Sequence, residues 1–121
     1  MNGAKVLVIE DWPAWRKQLT KKLQKKNIEL VWAESEGKAR KRLLELNNGG
    51  RLQVDAVVIS ACLGNHQTPT SLINEILSSF SGEIIGTSEQ EAFQDRLQKA
   101  GCHHVCDHAS LPQMLLCVLG L

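Results

Sequence analysis

The chain has 121 residues, 43% of them hydrophobic and 22% charged, with a formal net charge of +1. That length suits one domain spanning residues 1–121, large enough to bury a core without disulfide or metal staples. A near-neutral total argues against a general polyanion binder. No apolar stretch approaches the roughly eighteen residues that a membrane span requires.

The charge is unevenly placed. Twelve of the fourteen Lys and Arg lie in the first 51 residues against six acids, while the remainder carries two bases and seven acids. Solvated basic helix faces account for most patterns of this kind. An acidic partner docking on that face is the alternative, and nucleic acid is a weaker one. Cys62, Cys102, Cys106 and Cys117 show no framework spacing and read as reduced thiols. The N-terminus runs straight into a strand with no signal peptide, so a cytoplasmic setting is expected.

Residues 5–9 form an apolar run, Lys5-Val6-Leu7-Val8-Ile9, that ends on the acidic pair Glu10-Asp11. A helix follows with Pro13 in its first turn, where a missing N–H costs nothing. Trp12, Trp15, Leu19 and Leu23 share one face, Arg16, Lys17, Lys21, Lys22, Lys25 and Lys26 fill the rest, and Asn27 suits a left-handed C-cap. Residues 28–33 read as a second strand. Ser35 then caps a helix with Ala39, Leu43 and Leu44 inward and Lys38, Arg40, Lys41 and Arg42 outward. Asn47-Asn48-Gly49-Gly50 reads as a loop.

The third run, Val54-Asp55-Ala56-Val57-Val58-Ile59, is nearly all apolar, as a strand covered on both faces should be, and ends on Ser60. After the polar loop Gly64-Asn65-His66-Gln67, Thr68-Pro69 opens a helix with Leu72, Ile73, Ile76, Leu77 and Phe80 inward. The fourth strand covers residues 83–87 and ends on Thr87-Ser88. Ser88 to Glu91 reads as a capping box for a helix carrying Ala92, Phe93, Leu97 and Ala100 that stops at Gly101. Residues 103–107 make a short fifth strand. Ser110-Leu111-Pro112-Gln113 reads as a second capping box, and residues 114–119 end the chain as a helix.

Five strands alternating with five helices require right-handed parallel crossovers. The expected fold is α/β: a single doubly wound, five-stranded parallel sheet in the flavodoxin-like order 2-1-3-4-5, with helices on both faces. In such a sheet the C-terminal strand ends converge on one crevice, which is where chemistry sits. Here that crevice receives Glu10, Asp11, Ser60 and Thr87.

With these elements in place the chain resembles the CheY-like receiver domains of two-component response regulators, from Lys5 to about Leu119. Val8-Ile9-Glu10-Asp11-Trp12-Pro13-Ala14-Trp15-Arg16 is similar to the family's first strand, acidic pair and first helix. Asp55-Ala56-Val57-Val58-Ile59 matches the strand that presents the phosphoacceptor. Thr87 falls on the characteristic hydroxyl residue, and Ala100-Gly101-Cys102 on the alanine-glycine-alanine turn. The departures cluster at the chemistry. The resemblance places Ser60 at the phosphoacceptor aspartate, His108 at the lysine, Ala109 at the following proline, Val105 at the switch aromatic and Gly64 at a loop proline. Accepting a phosphoryl group needs an anionic nucleophile and Mg²⁺. A serine hydroxyl without an activating base is a poor nucleophile. Glu10 and Asp11 alone make a weak Mg²⁺ site, because a hard cation wants more anionic oxygen. Acceptor, bridging cation and reporter ring are all missing, which implies a degenerate pseudo-receiver that is not an enzyme; the alternative is a regulated site at Glu10, Asp11, Ser60 and Thr87 that binds a cation or phosphate. No cofactor is expected beyond weak Mg²⁺ at Glu10 and Asp11.

Three other constellations read more plainly. His104, Cys106 and His108 would share one strand face near Cys102 and His103, but ligands at two-residue steps splay about 7 Å apart, too far to converge on zinc unaided. Trp12, Trp15 and Trp32 read as core or rim packing, with Trp12 the most exposed. The last helix is apolar nearly all round and needs cover beyond its own sheet. The resemblance agrees, since receiver domains pair through this helix and the neighbouring strand. Protein partners or self-association are therefore expected through the fourth helix, fifth strand and last helix, with Val105, Leu111, Leu115 and Val118 at the interface.

Overall fold

In the computed structural model, which describes residues 3–61, 63 and 68–121, each of the five apolar runs becomes a strand of one parallel sheet. Along the chain come β1 (Ala4–Ile9), α1 (Pro13–Leu23), β2 (Ile28–Ala33), α2 (Glu36–Leu46), β3 (Asn47–Asn48), β4 (Arg51–Leu52), β5 (Ala56–Ser60), α3 (Thr70–Ser79), β6 (Glu83–Thr87), α4 (Glu91–Ala100), β7 (His104–Cys106) and α5 (Leu111–Leu119). The main sheet runs β2-β1-β5-β6-β7 with all pairs parallel. This is the expected order once the small hairpin is set aside. The loop Gly64-Asn65-His66-Gln67 and Cys62 lie outside the described residues.

Side chains alternate across the sheet, so each strand feeds two cores. Val6, Val8, Ala56, Val58 and Ile85 pack with Leu19 and Leu23 of α1 and Leu111 and Leu115 of α5. Leu7, Ile9, Val57, Ile59 and Ile84 pack on the other face with Ala39, Leu72, Ile73, Ile76 and Leu97 of α2, α3 and α4. Parallel strands covered on both sides are apolar at most successive positions, which is why β1, β5 and β6 show no alternation in sequence.

Several local expectations change. Asn47 to Gly50 belongs to a hairpin: Asn48 pairs with Arg51 across Gly49 and Gly50, whose φ values of 65° and 84° suit a tight two-residue turn. Leu44 is 80% exposed and Leu77 38% exposed. On α2, Ala39, Leu43 and Leu46 form the inward stripe, and Leu44 lies well round the helix from it. The α1 C-cap is Gln24 in right-handed helical geometry, not Asn27. Neither serine capping box forms. Ser88 lies two residues before the α4 N-cap, Gln90, and its hydroxyl accepts from the Gln90 N–H at 3.0 Å. Ser110 is the α5 N-cap, but Asp107 Oδ1 accepts its N–H at 2.8 Å. Ser35 does cap α2, accepting from the Lys38 N–H at 3.1 Å.

Candidate functional site at the strand ends

The register brings the candidate residues to one edge. Ile9 pairs with Ile59, so Glu10 follows beside Ser60, and Ser60 pairs with Thr87. Two-residue alternation places Glu10 with Val8, Ser60 with Val58 and Thr87 with Ile85, all on the α1/α5 side. The three are buried at 7%, 6% and 1% exposure. Asp11, the next residue, is exposed.

His108 reaches this edge from the turn before α5. Its Nε2 lies 2.6 Å from Glu10 Oε1, and its Nδ1 lies 3.0 Å from Glu89 Oε1. The other Glu10 oxygen, Oε2, accepts the Trp12 N–H at 3.2 Å. The imidazole lies flat on the Trp15 ring, with centroids 4.4 Å apart and an interplanar angle of 6°. Burial alone would push the His108 pKa down. Hydrogen bonding to Glu10, its charge and the same contributions from Glu89 outweigh that, and the net shift is upward. An imidazole carries an acceptor nitrogen when neutral and two donors when protonated. With a carboxylate oxygen facing each nitrogen, this geometry fits the protonated ring.

A cavity of about 20 Å³ lies beneath this cluster, bounded by Val8, Trp15, Leu19, Trp32 and Leu111 among others. It has room for about one water molecule. Trp15 is engaged with His108, and Arg16 covers the Trp32 ring at 5.0 Å. Trp12 is 62% exposed, while Trp15 and Trp32 are half-buried.

This donor set does not suit Mg²⁺. Of the two carboxylates, Glu10 has both oxygens engaged by His108 and Trp12, and Asp11 is exposed to solvent. Ser60 contributes a neutral hydroxyl where a third anionic oxygen would be needed. The zinc reading of the histidine and cysteine run also separates. His104 Nε2 turns to Glu83 at 3.3 Å and His108 turns to Glu10, while burial pushes the Cys106 thiol up to about 11. Among the described residues no three His, Cys, Asp or Glu side chains gather as metal ligands.

The expected interface at the end of the chain divides in two. Leu111 and Leu115 are 5% and 0% exposed and belong to the α1/α5 core; α5 turns them inward because they repeat at four-residue spacing against the sheet. Val105 packs partly against the opposite core. Val118 remains at the surface edge, where it lines a groove with His104, Met114 and Cys117. No pattern in the sequence ties Glu89 to His108, and the roles of Glu89 and Trp15 emerge only from the packing.

The basic half is also refined. On α2, Lys38 pairs with Glu34, Arg40 with Glu36 and Glu75, and Arg42 with Glu45. On α1, Lys17, Lys21 and Lys22 make no ion pair among the described residues, nor do Lys25 and Lys26 just beyond it. The uncompensated charge is therefore concentrated at α1.

At the level of sequence, no protein-family model and no curated protein matches the chain. Solved structures do. The chain is similar to a two-component response regulator from Clostridium difficile, at 15% identity and a TM-score of 0.77 over 97% of this chain and 96% of that one. It is similar to the receiver domain of a Pseudomonas aeruginosa sensor histidine kinase, which has a magnesium ion coordinated in its active-site cleft, at 19% identity and a TM-score of 0.75 over 99% and 100% of the two chains. A Francisella response-regulator receiver domain matches at 17% identity and a TM-score of 0.68, with 98% of each chain covered. On the strand order, the helix layers and these likenesses together, the chain has the fold of response-regulator receiver domains.

Proposed function

We propose that this domain is a pseudo-receiver: a signalling module that acts through protein contacts, without phosphoryl transfer and without catalysis of its own. The observation that carries this reading is Ser60. It lies in register between Glu10 and Thr87, so a neutral hydroxyl stands at the point of the crevice where a receiver would place its anionic acceptor. The fold supports a signalling role, and the reduced-thiol reading supports a cytoplasmic one. Incubation with Mg²⁺ and a small-molecule phosphodonor, followed by intact mass spectrometry, tests it. The expected mass is unchanged, and a gain of one phosphoryl group refutes the reading.

The output surface is α4, β7 and α5, presented to a protein partner or a second copy through Val118, Met114, Cys117 and His104. Its character supports this: the groove is largely apolar, and Met adapts readily to varied partners. A pull-down with the intact domain, repeated with Val118→Glu and Met114→Glu, should lose its partners. Retention of every partner would remove this face from consideration. The unpaired lysines at α1 favour a second docking surface for an acidic protein. Capture there should weaken with added salt and with Lys21→Glu. Neither nucleic acid nor a membrane is needed for this reading; no helix among the described residues is long and apolar enough to cross a bilayer.

A further inference from the structure

We infer that the acidic pocket carries its own cation, the His108 side chain, which occupies Glu10 in place of a divalent metal and clips three segments of the domain together. The inference deepens the proposed function at the same pocket. Glu10 follows β1, Glu89 lies between β6 and α4, and His108 lies between β7 and α5. One imidazole joins all three, at 2.6 Å to Glu10 and 3.0 Å to Glu89. The His108 backbone N–H adds a further bond to Glu89 Oε1 at 3.3 Å. Both ring nitrogens face carboxylate oxygens, so each does most for the pocket as a donor.

Two further contacts make the arrangement specific. Trp15 offers its ring face to the imidazole at 4.4 Å, a favourable seat for a cation. The second Glu10 oxygen is already held by the Trp12 N–H at 3.2 Å, so the backbone two residues on orients the carboxylate toward His108. A metal entering here would have to break a hydrogen bond between two groups that are 9% and 7% exposed and lift the ring from Trp15. It would gain the Glu10 carboxylate and the neutral Ser60, with the half-exposed Glu89 held across the imidazole from Glu10. Removing one partner of a buried charged pair leaves the other unpaired, which costs far more than an exposed pair would. The clip therefore excludes the metal, and it fixes the loops at 88–90 and 107–110 relative to β1 without any ligand.

The test uses the whole domain and Mn²⁺ as a paramagnetic probe. In wild type, Mn²⁺ is expected to leave the amide resonances of residues 10–12 and 60 unbroadened. Selective broadening there at low Mn²⁺ would overturn the inference. Hydrogen exchange supplies the second arm. In His108→Gln, which keeps a polar group of similar reach but no charge, the amides of Glu10, Trp12 and Gln90 are expected to exchange about tenfold faster or more, while amides in the centre of β5 are unchanged. If the variant unfolds globally, Glu89→Gln replaces it, with acceleration expected at His108 and Ser110. Unchanged exchange in the variant that folds refutes the clip. Mn²⁺ binding without phosphorylation sinks only this inference, whereas a covalent phosphoryl group sinks the proposed function.

Discussion

The coupling between Glu10 and His108 can be measured by a double-mutant cycle with Glu10→Gln and His108→Gln. Both side chains are nearly closed to solvent, at 7% and 9% exposure, so screening by water is slight. A hydrogen bond to a charged group contributes about 1.5–3 kcal/mol, and leaving one buried partner unpaired adds to the loss. Each single variant should therefore lose about 2–4 kcal/mol. The double variant should lose less than the sum, by a coupling of about 1.5–3 kcal/mol. Urea denaturation at fixed ionic strength is the assay. The pH dependence has a definite sign. The groups facing His108 are Glu10, Glu89 and Asp107, with Lys22 on the cavity wall. Their net effect raises its pKa above the ordinary 6.5. A raised histidine binds its proton more tightly when folded, so the stabilisation is complete below 6.5 and is lost as pH rises through the folded pKa. The coupling should accordingly shrink from pH 6 to the alkaline side of that transition. Additive single effects, or a coupling that grows with pH, would refute the protonated bridge.

Leu115→Ala should cost about 2–5 kcal/mol in urea, because the side chain is fully buried among Val6, Val8 and Ile85; Val118→Ala should cost under about 1 kcal/mol. Equal losses would mean that α5 is rotated from the orientation described. Among the described cysteines, the exposed Cys117 should react first with a thiol reagent, since burial pushes Cys102 up to about 12 and Cys106 up to about 11. Rapid native labelling at Cys102 would contradict its burial. Gly101→Ala should destabilise by about 1–3 kcal/mol: φ is 128° there, and a Cβ would meet Leu77 Cδ1 at 2.5 Å. A neutral thermal melt for that variant would refute the cap geometry.

The receiver fold was legible in the sequence because its determinants are local and repeated. β1, β5 and β6 are nearly continuous apolar runs, α1 to α4 show a 3.6-residue stripe, and alternating strands with helices leaves one handedness of crossover. Glu10, Ser60 and Thr87 could be assigned to one edge for the same reason, since parallel strands all end on the same side. Caps and turns were less readable. Whether Ser88 or Ser110 caps its helix depends on an offset of one or two residues and on competition from Asp107, which sequence spacing does not resolve. The faces of α5 were ambiguous because nearly every residue is apolar, and only packing against the sheet distinguishes Leu115 from Val118. What tertiary structure alone decided is the partner of His108. His108 and Glu10 are separated by 98 positions, and no local rule connects them. The sequence shows a serine, not a carboxylate, at the end of the third apolar run. Only the folded chain brings an imidazole into contact with the remaining acid, because that contact depends on how α5 docks beside α1.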